Sequence, residues 1–586
     1  MNYHLLIILA DNWGKMMKNI LNTFKKQTKP VLLIMLLLII QVYCDLALPS
    51  YTADIVNLGI QNTDFNLIVT TGTKMMLMVA VSVLATIAVS YVSSKVSSSF
   101  ARDLREELFH KILKYSNHEL NQFSRASLIT RSTNDINQIQ NVMGIMFRTL
   151  LFAPILAVGS IIKVFEIGSN LSWIIFVAFV AVALLLITVI WNVLPYFKKT
   201  QEIVDQINRV SREILIGIPV IKAFVRQEHE EQRFNRYNRE YLEVNLHVYR
   251  TMLILIPAMN LIMNIMIVVI LYFGAFDALQ GTLLTGDIIA FVQYSTQMVF
   301  SFMMIGGFTI MLPRVLVSGK RVEEVLETEI TIIDGEYAQE SSENVLEFKN
   351  VSYTYPGAEK ETLRNINFKL YPGKTTAIIG GTGSGKTTIL NLIPRLQDVT
   401  SGEILINDVN IKKYNLHNLR KKLALAPQKA ILFSGSIRSN LLKGKKDATE
   451  EEMFNAIKDA QASEFVDNLD MEVSQGGSNF SGGQKQRLSI ARAIIGKHDF
   501  YLFDDCFSAL DVTTERKLRD KLKEITNNKS VLIVSQRISS IKDADEIIVL
   551  NDGEIVDKGS HNELKGRCSI YREILSSQLE NIGDSL

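Results

Sequence analysis

The chain has 586 residues, 48% of them hydrophobic and 21% charged, with a mean hydropathy of +0.17. That length calls for more than one domain, and that apolar content is high for a soluble protein. A net charge of +2 is uninformative about partners, and no nucleic-acid partner is expected; Cys44, Cys506 and Cys568 lie too far apart for a disulfide framework or metal-ligand spacing, so they read as packing residues.

Residues 5–10 form a short apolar run without preceding Lys or Arg, which is no signal-peptide core. Met16 or Met17 offers an alternative start, with the first dozen residues then a leader of no structural role. Six long apolar stretches follow, at residues 30–48, 75–92, 142–164, 173–194, 252–273 and 288–312. Each approaches the ~20 residues that cross a bilayer as a helix. One such stretch could be a buried core helix; six predict a membrane domain. Lys15, Lys18, Lys25, Lys26 and Lys29 precede the first stretch, whereas 49–73, 166–172 and 274–287 carry no Lys or Arg. The segments after the second and fourth stretches are basic, with Lys95, Arg102, Arg105, Lys111 and Lys114, then Lys198, Lys199, Arg209, Arg212, Lys222 and Arg226. The positive-inside rule puts both termini and these segments in the cytoplasm.

Phe100, Leu104, Leu108 and Ile112 recur at helical spacing, so the first basic segment continues its span as a helix. Gly217 and Pro219 predict a break in the second. A surface turn is the simpler reading there; a short transverse helix touching another domain is the alternative. The last stretch is rich in Met298, Phe300, Phe302, Met303, Met304, Phe308 and Met311. Thioethers and aromatics suit an adaptable apolar pocket, although each residue alone reads as helix-packing or lipid-facing surface. The expected division is a cytoplasmic segment 1–29, a six-span membrane domain 30–326, a polar linker 327–344 and an α/β domain 345–586.

That last domain carries the chemistry. Gly380-Gly381-Thr382-Gly383-Ser384-Gly385-Lys386-Thr387-Thr388 follows an apolar strand and opens a helix. This is G-x-x-x-x-G-K-[ST] in its required context: glycines turn backbone N–H groups onto phosphates, Lys386 reaches the β/γ-phosphates and Thr387 offers a hydroxyl to Mg²⁺. Asp504, ending the run Tyr501-Leu502-Phe503, fits a Mg²⁺ ligand, and Asp505 stands where a general base for water would be. Gln428, just past the strand-like 423–426, could reach Mg²⁺ or the attacking water. Tyr355 could stack on adenine, though alone it reads as a strand-end residue before a turn. Ser481-Gly482-Gly483-Gln484 begins a second helix with Ser481 as a plausible N-cap, a second anion site that suggests two copies meeting head to tail.

These stretches, with Ser508-Ala509-Leu510-Asp511, resemble the Walker A, Q-loop, signature, Walker B and D-loop of ATP-binding cassette (ABC) proteins, and Tyr355 resembles the A-loop aromatic. The membrane half is similar to the six-span domain of multidrug-type ABC exporters. Residues 123–140 and 211–224 look like its two cytoplasmic loops with their coupling helices. The resemblance covers about residues 17–575 and implies ATP and Mg²⁺ as cofactors, with two cassettes closing over two ATPs. It implies Asp511 and Ser481–Gln484 as nucleotide contacts. Two positions depart from the family pattern: Asp505 replaces the usual Glu, and Gln536, in Val534-Ser535-Gln536-Arg537, replaces the usual switch His. Ser474-Gln475 also replaces Gly/Glu before the signature. A carboxylate one methylene short misplaces the base by ~1 Å, worth ~10²-fold in rate. Gln536 cannot accept and return a proton as His does. The expectation is one half of a heterodimeric exporter of hydrophobic or amphipathic compounds in the cytoplasmic membrane, whose own ATP site is slow. The alternative is a regulatory subunit whose bound ATP is a structural or sensing ligand.

Overall fold

The computed structural model describes residues 28–167, 171–337 and 344–583; the expectations for the first 27 residues and for 338–343 of the linker lie outside the described residues. The chain forms two compact units, 1–112 with 125–327, and 113–124 with 328–586.

The first unit holds six helices long and apolar enough to cross a membrane: Thr28–Ile60, Phe65–Leu113, Arg125–Glu166, Ser172–Ala223, Gln227–Leu279 and Thr285–Phe308. No more than 44% of any apolar window is buried, so Leu36, Leu84, Phe176 and Val268 present hydrocarbon outward. Only a hydrocarbon solvent makes such a surface stable. Several helices run far past bilayer thickness: the second has 49 residues and the fourth 52. Met298 and Phe308 belong to the interior of this unit, while Phe302 packs edge-on against Phe179.

The break expected at Gly217 and Pro219 is absent. The fourth helix continues through both to Ala223, and the chain turns at 224–226, where Val225 takes φ 52°. A proline costs a helix one hydrogen bond and a local clash. The surrounding regular turns of a 52-residue helix absorb that cost here.

The second unit is α/β. A four-stranded antiparallel sheet has the order β2-β1-β4-β5, from Leu346–Tyr353 (β1), Leu363–Leu370 (β2), Ser401–Ile406 (β4) and Val409–Asn410 (β5). A six-stranded sheet has the order β12-β11-β3-β10-β9-β6, from Thr375–Ile379 (β3), Leu423–Ala426 (β6), Phe500–Asp504 (β9), Ser530–Val534 (β10), Glu546–Asn551 (β11) and Glu554–Gly559 (β12). Gly435–Ser436 (β7) and Glu472–Val473 (β8) make a small separate pair. Strands β9 and β10 are buried throughout, which is why their sequences are unbroken apolar runs rather than alternating ones.

Register positions the site. Val534 is level with Ile378 and with Asp504, and Ala426 is level with Phe503. Four parallel strands therefore end at one edge, and the segments that leave them begin with Gly380, Ser535, Asp505 and Pro427. In open α/β sheets ligands bind outside the carboxyl ends of the strands.

The segment 113–124 joins this second unit although it lies among the membrane helices in sequence. It holds a short helix, α1 (Asn117–Gln122), closed by a capping box between Ser116 and Glu119. This helix precedes the 123–140 stretch singled out from sequence. Glu119 is fully buried, and its carboxylate accepts from the Thr331 N–H at 3.1 Å and the Thr331 hydroxyl at 2.6 Å. Asn117 N–H donates to Leu396 C=O at 3.1 Å. The described part of the linker is pinned as well: Asp334 accepts from Leu416 N–H at 2.6 Å, and Tyr337 bridges to Tyr414. The acidic, polar linker is thus partly docked chain.

Candidate functional site: the phosphate loop and the strand ends around it

The phosphate loop leaves β3 and enters helix α2 (Lys386–Leu392). Gly383 and Gly385 take φ 84° and 100°, which side-chain-bearing residues rarely adopt. A Cβ on Gly380 would lie 2.1 Å from Leu550 C=O, so glycine is required there for packing as well. Lys386 is 7% exposed, and its ammonium donates to Gly380 C=O at 2.9 Å, Gly381 C=O at 2.6 Å and Ser384 Oγ at 3.3 Å. Burial pulls its pKa down, while Asp505 and Asp504 act the other way.

Thr387 Oγ1 donates to Asp504 Oδ1 at 3.3 Å, so the hydroxyl and carboxylate converge. Burial raises the Asp504 pKa, opposed by Thr387, by Lys386 and by the Gln428 backbone N–H. Asp505 is 8% exposed, with φ 44°. Its own N–H donates to Val534 C=O at 2.8 Å. Burial raises its pKa too, opposed by the nearby Gln536 backbone N–H and by the Arg537 and Lys386 charges. Tyr355 shares a 3.1 Å hydroxyl contact with Thr388 Oγ1, and its ring sits edge-on to Tyr353. Thr382 is exposed, next to Gly381, whose Cβ position meets nothing within 4 Å.

Ser481, Gly482, Gly483 and Gln484 form a local group apart from this cluster. Ser481 caps helix α3 (Gly482–Ile494) reciprocally: its Oγ accepts from Gln484 N–H at 3.3 Å, and Gln484 Oε1 accepts from Ser481 N–H at 2.8 Å. A Cβ on Gly483 would come within 3.0 Å of Ala509 C=O, which places the signature beside the Ser508–Asp511 segment. Asp511 caps helix α4 (Val512–Ile525), accepting from the Thr513 and Thr514 N–H groups at 3.1 and 2.9 Å. Among the described residues, neither the signature group nor Asp511 hydrogen-bonds to the phosphate loop. Ser116, Glu119 and Thr331 were not picked out from the sequence; the S-x-x-E spacing of Ser116 and Glu119 is the signal that could have found the first two.

The residues fit a Mg-nucleotide. Burial raises the pKa of both Asp504 and Asp505, so a cation beside them would favour their charged forms. A hydroxyl and a carboxylate offer hard oxygen ligands, and a buried ammonium is held by backbone carbonyls in place of phosphate. Mg²⁺ suits such a site because it takes one or two protein oxygens and completes its shell with phosphate and water.

A phosphate-loop domain on the same chain as six membrane-crossing helices defines a nucleotide-driven membrane transporter. The sequence profile of the ABC transporter transmembrane region matches residues 31–302, and that of the ABC transporter domain matches 363–508. The chain belongs to the ABC transporter family, as an exporter half-transporter. It is 36% identical over 556 residues to an uncharacterized ABC transporter ATP-binding protein of Mycobacterium tuberculosis, covering 94% of this chain and 96% of that protein. It is 29% identical over 492 residues to the ATP-dependent lipid A-core flippase of Pseudomonas aeruginosa, covering 83% and 81% respectively. The fold matches a bacterial Atm1-family ABC exporter with ATP bound, with a TM-score of 0.79 at 24% identity over 94% of this chain and 98% of that one. The fold implies a bilayer and a dimeric assembly.

Proposed function

We propose that this chain is one half of a heterodimeric ABC exporter that moves amphipathic compounds, drugs or lipids, across the cytoplasmic membrane, with its own ATP site the slow one of the pair. Both termini and the nucleotide domain face the cytoplasm. Lys386 and the loop Gly380–Thr388 hold the phosphates, Tyr355 stacks on adenine, and Thr387, Asp504 and Gln428 serve Mg²⁺. Bound Mg²⁺ neutralises phosphate charge and orients the γ-phosphate. Ser481–Gln484 close over the ATP of the partner, which supplies the catalytic Glu and switch His.

The observation that carries this reading is the pair Asp505 and Gln536. The carboxylate beside the Mg²⁺ ligand is the short one. The neighbouring side chain is an amide, which cannot shuttle a proton. The lipid side of the substrate proposal is supported by the flippase relative. The test is ATPase activity of the purified chain alone and with the half-transporter encoded beside it. Low turnover alone and high turnover together are expected; strong turnover alone would sink the heterodimer.

A further inference from the structure

The C-terminal helix α6 (Ser569–Gly583) is fixed to the domain by one face. Tyr571 is fully buried, its hydroxyl 2.7 Å from His561 Nδ1, and Ile574 and Leu575 pack on the same core. Gln578 follows on that face, at the spacing i, i+3, i+4, i+7 from Tyr571. The last position of an apolar stripe is polar, and the structure shows why. Gln578 Oε1 accepts the Ile538 N–H at 2.9 Å, and Gln578 Nε2 donates to Gln536 C=O at 2.7 Å. The backbone offers one donor and one acceptor, so the amide has a single workable orientation.

Ile538 opens helix α5 (Ile538–Ile541), whose N-cap Arg537 makes no side-chain cap bond. The first N–H groups of a helix lack internal partners, and Gln578 supplies one. On the other side of the loop, the Asp505 N–H donates to Val534 C=O at 2.8 Å, two residues before Gln536. The switch loop is therefore anchored to Asp505 through Val534 C=O and to Gln578 through Gln536 C=O.

We infer that Gln578 is a positioning residue for the nucleotide site: it clamps the switch loop from behind and fixes the main chain at Gln536 and Ile538. This rests on the assignment of Asp505 and Gln536 to the hydrolytic site. It makes the C-terminal helix part of the catalytic support, so that whatever shifts α6 alters the switch loop without touching ATP.

The test uses the full chain in its assembled exporter, with Gln578→Ala and Gln578→Glu. Hydrogen exchange is followed over 535–541 and, as a control, over 386–392. Gln578→Ala is expected to speed exchange over 536–541 by roughly fivefold to tenfold, the equivalent of one lost hydrogen bond, and to leave the control unchanged. Gln578→Glu keeps the acceptor for Ile538 but sets a carboxylate against Gln536 C=O. It should preserve slow exchange at Ile538 while slowing hydrolysis as Ala does. Single-turnover loss of prebound γ-labelled ATP should slow about threefold to tenfold, within the range of one misplaced group, at unchanged ATP affinity. Unaltered exchange over 536–541 overturns the inference. So does an equal loss of affinity and turnover, which is what simple destabilisation gives, or faster exchange with an unaltered rate. A chain that never hydrolyses its bound ATP leaves the exchange measurement to decide, so this result is separable from the rate assigned to the site.

Discussion

Replacing Asp505 with Glu and Gln536 with His is expected to turn the slow site into a faster one. Asp505 sits at the carboxyl end of the sheet, 8% exposed, with its backbone N–H donating to Val534 C=O at 2.8 Å. One added methylene carries the carboxylate ~1 Å farther toward the γ-phosphate, and misplacement of that size costs ~10²-fold. A gain of that order corresponds to about 2.7 kcal/mol of barrier. The backbone sets a limit on the benefit. Asp505 holds φ 44°, a region where Asp is better tolerated than longer residues, so the Glu variant loses on the order of 1 kcal/mol of stability. The assay is single-turnover hydrolysis of prebound ATP, with thermal unfolding and ATP affinity as controls. The double variant should hydrolyse about 10- to 100-fold faster than the natural chain, and each single variant less, because base and proton-shuttling neighbour act as a unit. No acceleration, with ATP affinity intact, would refute the reasoning and move the slow step to the signature contributed across the dimer.

Two further outcomes follow from the same geometry. Lys386→Ala should weaken ATP binding by at least ~100-fold, since charge-assisted bonds to phosphate are worth about 1.5–3 kcal/mol each and this ammonium has no substitute nearby; equilibrium binding of a fluorescent ATP analogue measures it. Glu119→Gln should loosen the attachment of α1 to the linker by about 1–3 kcal/mol at neutral pH, because Gln cannot accept from Ser116 and Thr331 as the carboxylate does. The effect is pH-dependent with a definite sign. Burial alone would raise the Glu119 pKa, but the hydrogen bonds from Ser116 and Thr331 outweigh it and the net shift is downward from 4.5. Its stabilisation is thus complete above pH 4.5 and disappears as pH falls through the lower folded value. Limited proteolysis of 113–124 should distinguish the variant from the natural chain at pH 7 and cease to do so in acid.

What could be read from the sequence was whatever the backbone imposes on residue type. The phosphate loop is legible because φ 84° and 100° at Gly383 and Gly385 admit essentially only glycine, and the six spans because hydrocarbon tolerates only apolar side chains over ~20 residues. Positions where the main chain itself does the binding leave no such mark. Asn117 donates its N–H to Leu396 C=O and Asp505 its N–H to Val534 C=O, so any residue but proline could stand at either place and make that contact. The turn after the fourth helix was misplaced for a related reason. Gly217 and Pro219 carry the breaking signal, yet the left-handed residue is Val225, a β-branched type that the local rules disfavour there.

Contacts distant in sequence were the least legible. Glu119 and Thr331 are 212 positions apart, and Gln578 lies 42 from Gln536. The capping box announces Glu119 as a helix-end residue, and the apolar stripe announces Gln578 as a polar residue on a packed face. Neither pattern says what the side chain reaches. Both are buried or half-buried polar groups whose partners are main-chain atoms, a hydroxyl, or both. Leaving such a group unpaired costs about 1–3 kcal/mol, so each is kept only where a partner is fixed opposite it. The partner in one case is the strap from the last membrane helix and in the other the switch loop. The two side chains therefore mark the places where segments that carry no nucleotide-binding motif are tied to the domain that does.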